Sequence, residues 1–170
     1  MPLHLKPISK AGIREAIAKV DLYRSLNEPE EAESICRDIL VVEPAHQLAL
    51  RLLGLTITDQ FCGDVTDRWG EAQESFDKLS DPYERTYYTG LLHERRAKAQ
   101  LRAGRLRHTL TPLFEEAMSC FAEAEKIRPA GNDDAILRWN RCVRLLQSHP
   151  DFQEEEHQSV GFDAQDSSPV

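Results

Sequence analysis

Apolar residues recur along this chain at intervals of three and four, and alternation with a period of two is almost absent. Spacing of three and four places side chains on one face of an α-helix, whereas a half-buried strand requires alternation. The pattern therefore predicts an all-α protein with about seven helices. We expect them near residues 9–27, 29–43, 48–57, 66–79, 82–104, 111–129 and 133–147.

Residues that favour helix ends mark the predicted boundaries. Ser9 is suited to cap the first helix, and Pro29 stands where a first helical residue tolerates proline. Pro82 and Thr111 begin the fifth and sixth helices, and Gly104 follows the fifth. Short turns join successive helices, so we expect antiparallel helix hairpins that stack on one another over residues 9–147.

The negative charge of the chain is concentrated at its C-terminal end. The formal net charge is −8, yet outside residues 151–170 the chain has 23 acidic and 21 basic residues. The acidic residues of this end are Asp151, Glu154, Glu155, Glu156, Asp163 and Asp166, with no Lys or Arg among them. We expect residues 148–170 to form an acidic disordered tail, which either keeps the protein in solution or folds back onto its own arginines.

The charge of the remaining chain also limits the classes of partner. A non-specific nucleic-acid surface requires a basic surplus, and an anionic lipid surface requires a polybasic patch. Neither is visible in a nearly neutral body, and no apolar run is long enough to span a bilayer. We expect neither nucleic acid nor membrane as a partner.

Motifs that carry chemistry are missing from the sequence. The glycines are isolated, so no phosphate-binding loop is predicted, and the four cysteines lack the spacing of a zinc site. His93-Glu94 is followed by Ala97 where a zinc-protease helix needs a second His. We expect a protein that is not an enzyme and needs no metal or cofactor. The N-terminus has no export signal, which predicts a cytoplasmic protein with reduced cysteines.

A run of polar residues in the fifth helix admits two interpretations. Glu94 and Lys98 are four apart, which is typical of an ion pair on a solvated helix face. Alternatively, His93 and Arg96 point into a groove, where arginine suits a carboxylate because its guanidinium donates two parallel hydrogen bonds.

The start of the seventh helix admits two interpretations as well. Asn132 is suited to cap the helix, and we expect Trp139 to pack on the preceding hairpin. Capping does not account for Arg138, Asn140 and Arg141 in one turn, which fit a binding surface.

The second helix of each predicted pair shares a spacing pattern. A small residue is followed by an aromatic or large residue four positions on, by a small residue three further and by Pro five after that. This spacing is present at Ala32, Cys36, Ile39 and Pro44, and at Ala117, Phe121, Ala124 and Pro129. It also begins at Ala72 and Phe76, but there the proline comes two residues early. The first helix of the second pair carries Leu53-Gly54.

These residues resemble the tetratricopeptide repeat family. The resemblance implies a solenoid of about three repeats, with the helix that contains Ala135 and Cys142 closing the C-terminal end. It also implies two insertions, at 58–67 and 105–110, which we expect to be loops. In this family the concave surface is lined by the first helix of each pair, and peptides bind there.

The resemblance assigns peptide-binding residues to this concave surface. They are Arg14, Ile17, Asp21 and Arg24 from the first pair; Arg51, Leu55 and Thr58 from the second; Thr89, His93 and Arg96 from the third; and Asn140 and Arg144 at the end. The family's carboxylate clamp needs Lys and Asn where this chain has Ile17 and Asp21. The resemblance therefore implies a ligand other than the one that clamp holds.

A non-catalytic adaptor or scaffold that binds a segment of another protein is the function we expect. One alternative is a chaperone of the secretion type, which holds a hydrophobic client segment and self-associates, so that a homodimer is possible. Another is a regulatory subunit whose partner supplies the chemistry. A stoichiometric complex with an enzyme would favour the last of these.

Overall fold

The computed structural model describes residues 3–63 and 66–152, and within these ranges the regular structure is entirely helical. The seven α-helices are α1 (Ile13–Ser25), α2 (Pro29–Val42), α3 (Gln47–Asp59), α4 (Thr66–Asp77), α5 (Pro82–Arg102), α6 (Thr111–Lys126) and α7 (Asp134–Gln147). Three short 3₁₀ turns span Lys10–Gly12, Arg107–Leu110 and Pro150–Phe152. The prediction of an all-α protein is confirmed.

Local side-chain chemistry explains several helix boundaries. The Ser9 hydroxyl accepts a hydrogen bond from the Gly12 amide at 3.1 Å, so it caps the 3₁₀ turn that leads into α1. Pro29 and Pro82 are the first residues of α2 and α5, where the missing amide donor costs nothing. Gly104 follows α5 at φ +84°, a conformation that favours glycine and reverses the chain.

Each helix packs against the next along the chain, and α1 with α3, α3 with α5 and α5 with α7 also contact one another. The longest helix, α5, joins the two main apolar clusters. Its Leu92 and Ala99 belong to the cluster built on α1–α4, and its Tyr83 and Ala97 to the cluster built on α6 and α7. Neighbouring contacts of this kind are compatible with stacked hairpins, and the solenoid that the resemblance implies stays a prediction.

The packed part of the chain continues beyond the boundary predicted at residue 147. Phe152 is 5% exposed, and its ring meets that of Phe114 edge-on at a centroid distance of 5.8 Å. The Thr111 hydroxyl donates to the Phe152 carbonyl at 3.0 Å, and Arg107 forms an ion pair with Asp151 at 2.6 Å. Burial of one large aromatic ring keeps this turn on α6, so residues 148–152 belong to the folded part. The rest of the predicted tail, 153–170, lies outside the described residues.

The inner face of α7 differs from the expected one. Ala135, Cys142 and Leu145 are buried, whereas Trp139 is 37% exposed. Trp139 was expected to pack on the preceding hairpin, and that prediction is wrong. At about 100° per residue, the buried positions centre on the side of Arg138, which leaves Trp139 at the edge of the inner face.

Candidate functional site

The helices α1, α3, α5 and α7 contact one another in succession, and charged side chains connect them. We name the side of the protein on which these connections lie the odd-helix face. Arg24 Nε on α1 lies 2.7 Å from Asp59 Oδ2 on α3, and Arg95 on α5 also pairs with Asp59. Arg51 Nη1 on α3 lies 2.7 Å from Glu84 Oε1 on α5. The odd-helix face is therefore held by ion pairs between successive odd-numbered helices.

A cleft of about 240 Å³, which we name the basic cleft, lies on the odd-helix face between α3, α5 and α7. Its lining residues are Thr58, Asp59, Arg95, Lys98, Arg102 and Arg138. Four of these carry a positive charge and one carries a negative charge. An excess of guanidinium and ammonium groups favours an anionic ligand, above all a carboxylate.

A buried carboxylate positions two of these cations. Glu94 is 0% exposed, and its carboxylate accepts a hydrogen bond from Lys98 Nζ, while Arg138 Nη1 lies 3.6 Å from its Oε2. Burial by itself lowers the pKa of Arg138, but a hydrogen bond to Tyr87 and the charge of Glu94 raise it above its ordinary value. Glu94 is thus a buried anchor. The pairing with Lys98 is confirmed, and the interpretation of Glu94 as part of a solvated face is wrong.

Arg95 is held as a wall of the basic cleft. Its Nη1 donates to the Thr58 hydroxyl at 2.6 Å and to the Leu55 carbonyl at 3.3 Å, besides its ion pair with Asp59. Burial lowers the pKa of Arg95, and Asp59 opposes that shift. Arg102 differs, because it is exposed and pairs with no carboxylate among the described residues. Of the cations in the cleft, Arg102 is therefore the most available to a ligand.

Some of the predicted peptide-binding residues lie on the odd-helix face, and one of them, Thr58, lines the basic cleft. Arg24, Arg51 and Leu55 are half-buried there and take part in its contacts. The other predicted peptide-binding residues with polar side chains on α1 and α7 are exposed or half-buried, and they form no polar contact with another helix among the described residues. They are Arg14, Asp21, Asn140 and Arg144.

His93 and Arg96 point to a different side of α5. The His93 ring lies 5.9 Å from the Trp69 ring on α4, and its Nδ1 lies 3.1 Å from Glu116 Oε2 on α6. The Arg96 guanidinium sits over the Trp69 ring at 5.8 Å. Burial lowers the pKa of His93 and so favours its neutral form. Thr89, one turn earlier, shares this side of the helix. The structure thus separates these three residues from Arg51 and Leu55.

Two glycine–phenylalanine contacts explain the separation. A Cβ on Gly54 of α3 would lie 2.3 Å from the Phe76 ring, and one on Gly90 of α5 would lie 2.8 Å from the Phe121 ring. Gly54 and Gly90 are therefore equivalent positions of the two helices, and they are 36 residues apart. The predicted peptide-binding residues instead treat Arg51 and Thr89 as equivalent, which are 38 residues apart. A difference of two residues turns a helix face by about 200°.

The lining residues of the basic cleft were not predicted as a group. The sequence feature that could have predicted several of them is Gly90, if it is taken as the equivalent of Gly54. When Gly90 is aligned with Gly54, the residues of α5 at positions equivalent to Leu55, Thr58 and Asp59 of α3 are Leu91, Glu94 and Arg95. Arg138 was noted only as part of a cationic turn, and its contact with Glu94 on another helix follows from tertiary packing alone.

Comparison with protein-family models, with curated proteins and with solved structures finds no match to this chain. Among residues 3–63 and 66–152, no group of three or more His, Cys, Asp or Glu side chains is placed to hold a metal ion. No helix in this part of the chain has the length and apolar character needed to cross a bilayer.

Proposed function

We propose that this chain is a non-catalytic protein-interaction module that binds an acidic segment of a partner protein on the odd-helix face. The observation that carries the proposal is the basic cleft, where Arg95, Lys98, Arg102 and Arg138 surround a single lining carboxylate. The carboxylates of the partner segment would bind these cations. The rest of the segment would follow the odd-helix face toward Arg51 and Arg24.

The size and lining of the basic cleft favour a peptide carboxylate over a small-molecule ligand. At about 240 Å³ it is smaller than the roughly 300–1,000 Å³ of pockets that enclose small molecules. Such pockets are lined mainly by apolar side chains, whereas the residues that line this cleft are all polar or charged. A shallow charged cleft is suited to one or two side chains of a longer ligand.

The distribution of charge favours a protein segment over nucleic acid. Asp59 lines the basic cleft and Glu94 lies beneath it, so a phosphate backbone that ran along the face would meet fixed negative charge. The chain before residue 151 has two more acidic than basic residues, so it lacks the basic surplus that a nucleic-acid backbone requires for contacts over many phosphates. Ion pairs across the odd-helix face also favour an acidic segment over the hydrophobic client of a secretion-type chaperone.

The proposal is tested with a fluorescent octa-glutamate peptide and an octa-glutamine peptide of the same length. We expect the full chain to bind octa-glutamate and to bind octa-glutamine at least tenfold more weakly. The affinity for octa-glutamate should fall as the salt concentration increases, because salt screens the charges. Arg102→Glu should abolish binding. Lys19→Glu is the matched control, because Lys19 is exposed on α1, outside the cleft lining, and unpaired among the described residues. Equal loss in both variants, or equal affinity for the two peptides, would refute the proposal.

A further inference from the structure

The described chain ends beside a second cleft at the C-terminal end of α5. This cleft measures about 440 Å³ and is lined by Leu101, Gly104, Arg105, Leu106, Arg107, His108 and Asp151. The ion pair of Asp151 with Arg107 and the buried ring of Phe152 hold the chain at this point. The described chain therefore ends at a defined place next to cationic side chains.

The second cleft and the basic cleft adjoin the same helical turn. Leu101 lines the second cleft, and the next residue, Arg102, lines the basic cleft. Arg102 and Arg105 are both exposed, and neither pairs with a carboxylate among the described residues. Two uncompensated cations thus lie between the end of the described chain and the basic cleft.

Residues 153–170 carry the complementary charge. They contain five acidic residues and no Lys or Arg, and the acidic residues are Glu154, Glu155, Glu156, Asp163 and Asp166. Asp163 is the eleventh residue after Phe152, and eleven residues span up to about 36 Å when extended. The 21-residue helix α5 is about 32 Å long. The segment can therefore reach any point along α5.

We propose that segment 153–170 docks in the basic cleft and competes there with the acidic segment of the partner protein. The inference rests on the proposed function, since it concerns the regulation of the same site. Attachment at Phe152 gives the segment an effective concentration in the millimolar range, so that even weak ion pairing occupies the cleft. A partner must displace the segment, and its apparent affinity is reduced accordingly.

The test compares the affinity of three chains for the same octa-glutamate peptide. The first is the full chain. The second carries Glu154→Gln, Glu155→Gln, Glu156→Gln, Asp163→Asn and Asp166→Asn, which keeps the length and removes the charge. The third ends after Phe152, which retains the Asp151 and Phe152 contacts. We expect the second and third chains to bind at least threefold more tightly than the first, and a synthetic 153–170 peptide to displace the probe from the third.

The outcomes separate the two proposals. If all three chains bind octa-glutamate with one affinity, docking of the segment is refuted and the proposed function stands. If only the shortened chain gains affinity, the segment acts by bulk and not by charge, which also refutes this inference. If none of the chains binds the probe and the synthetic segment does not bind either, both proposals fail together. Arg102→Glu in the shortened chain should abolish binding of both peptides.

Discussion

The ring of Phe76 on α4 occupies the space that a side chain at position 54 of α3 would need, with Cε1 at 2.3 Å from the place of a Cβ. Phe121 of α6 stands in the same relation to Gly90 of α5. Both rings are fully buried. The contact of α3 with α4, and that of α5 with α6, therefore places a phenylalanine ring directly against the backbone of a glycine. The two contacts set which sides of α3 and α5 remain for the odd-helix face.

Gly54→Ala is expected to lower the free energy of unfolding by about 1–3 kcal/mol, because the added methyl overlaps a ring that close packing holds in place. Gly70→Ala is the matched control on α4, where nothing lies within 4 Å of an added Cβ. There the better helix propensity of Ala should raise stability by about 0.5–1 kcal/mol. Urea unfolding measures both. Equal effects at the two positions would show that the Phe76 contact is not tight.

Glu94→Gln tests whether the buried carboxylate anchors the basic cleft. The variant leaves Lys98 and Arg138 without their countercharge, so we expect a loss of about 3 kcal/mol in the free energy of unfolding. Glu74→Gln serves as the control, since Glu74 is exposed on α4 and pairs with the exposed Lys78 directly after that helix. Unfolding in urea should show no measurable change for that variant. A Glu94→Gln protein as stable as the original would contradict the anchoring role.

The stability of the helix pair α2 and α4 should depend on pH through Glu33. Burial alone would raise the pKa of this carboxyl, but hydrogen bonds from Gln60, Arg37 and Arg68 bring it below its ordinary value of 4.5. A carboxyl with a lowered pKa in the folded state contributes stability above pH 4.5, and the contribution is lost as pH falls through the folded pKa.

Glu33→Gln should therefore destabilise the protein at pH 7, by about 1–3 kcal/mol for the lost charged hydrogen bonds. The difference between the variant and the original chain should shrink as pH falls below 4.5. Urea unfolding at pH 7, 5 and 3 follows this difference. A constant difference across the three pH values would mean that the Glu33 charge does not stabilise the fold.

Thiol reactivity should divide the cysteines by burial. Burial raises the pKa of Cys36 and of Cys142 to about 12, whereas Cys62 is exposed. At pH 8 only about one in ten thousand molecules carries a thiolate at either buried position. Iodoacetamide should label Cys62 in the native protein, and Cys36 and Cys142 only after urea is added, as mass spectrometry of the digested chain can show. Native labelling of Cys36 would contradict the packing of α2.

Local features of the sequence were sufficient to predict the helices. Pro29 and Pro82 begin α2 and α5 as expected, and Gly104 ends α5 through its positive φ. These positions depend on proline and glycine, whose backbone preferences act over one or two residues. The small and aromatic positions of α6, Ala117 and Phe121, are also buried as their spacing indicates.

The candidate site was less predictable, because it depends on how α5 is turned about its axis. The resemblance places His93 and Arg96 on the concave surface with Arg51 and Leu55, but they contact α4 and α6, and Arg95 lies next to Asp59. The resemblance implies an insertion at 58–67, before α5, and an error in the length of such an insertion shifts any count carried along the chain. A residue offset that is wrong by two still predicts the helix, but it assigns residues of the opposite side of the helix to the surface.

The sequence by itself determined that the chain is helical, where most helices begin and end, and which residues are small or large enough to pack. These properties follow from local backbone preferences and apolar periodicity. Only the tertiary structure decided that Glu94 is buried beneath Lys98 and Arg138, and that Phe152 returns to α6. Those contacts join residues that are distant in the chain. They depend on the rotation of each helix about its axis, which the packing of Phe76 against Gly54 and of Phe121 against Gly90 sets.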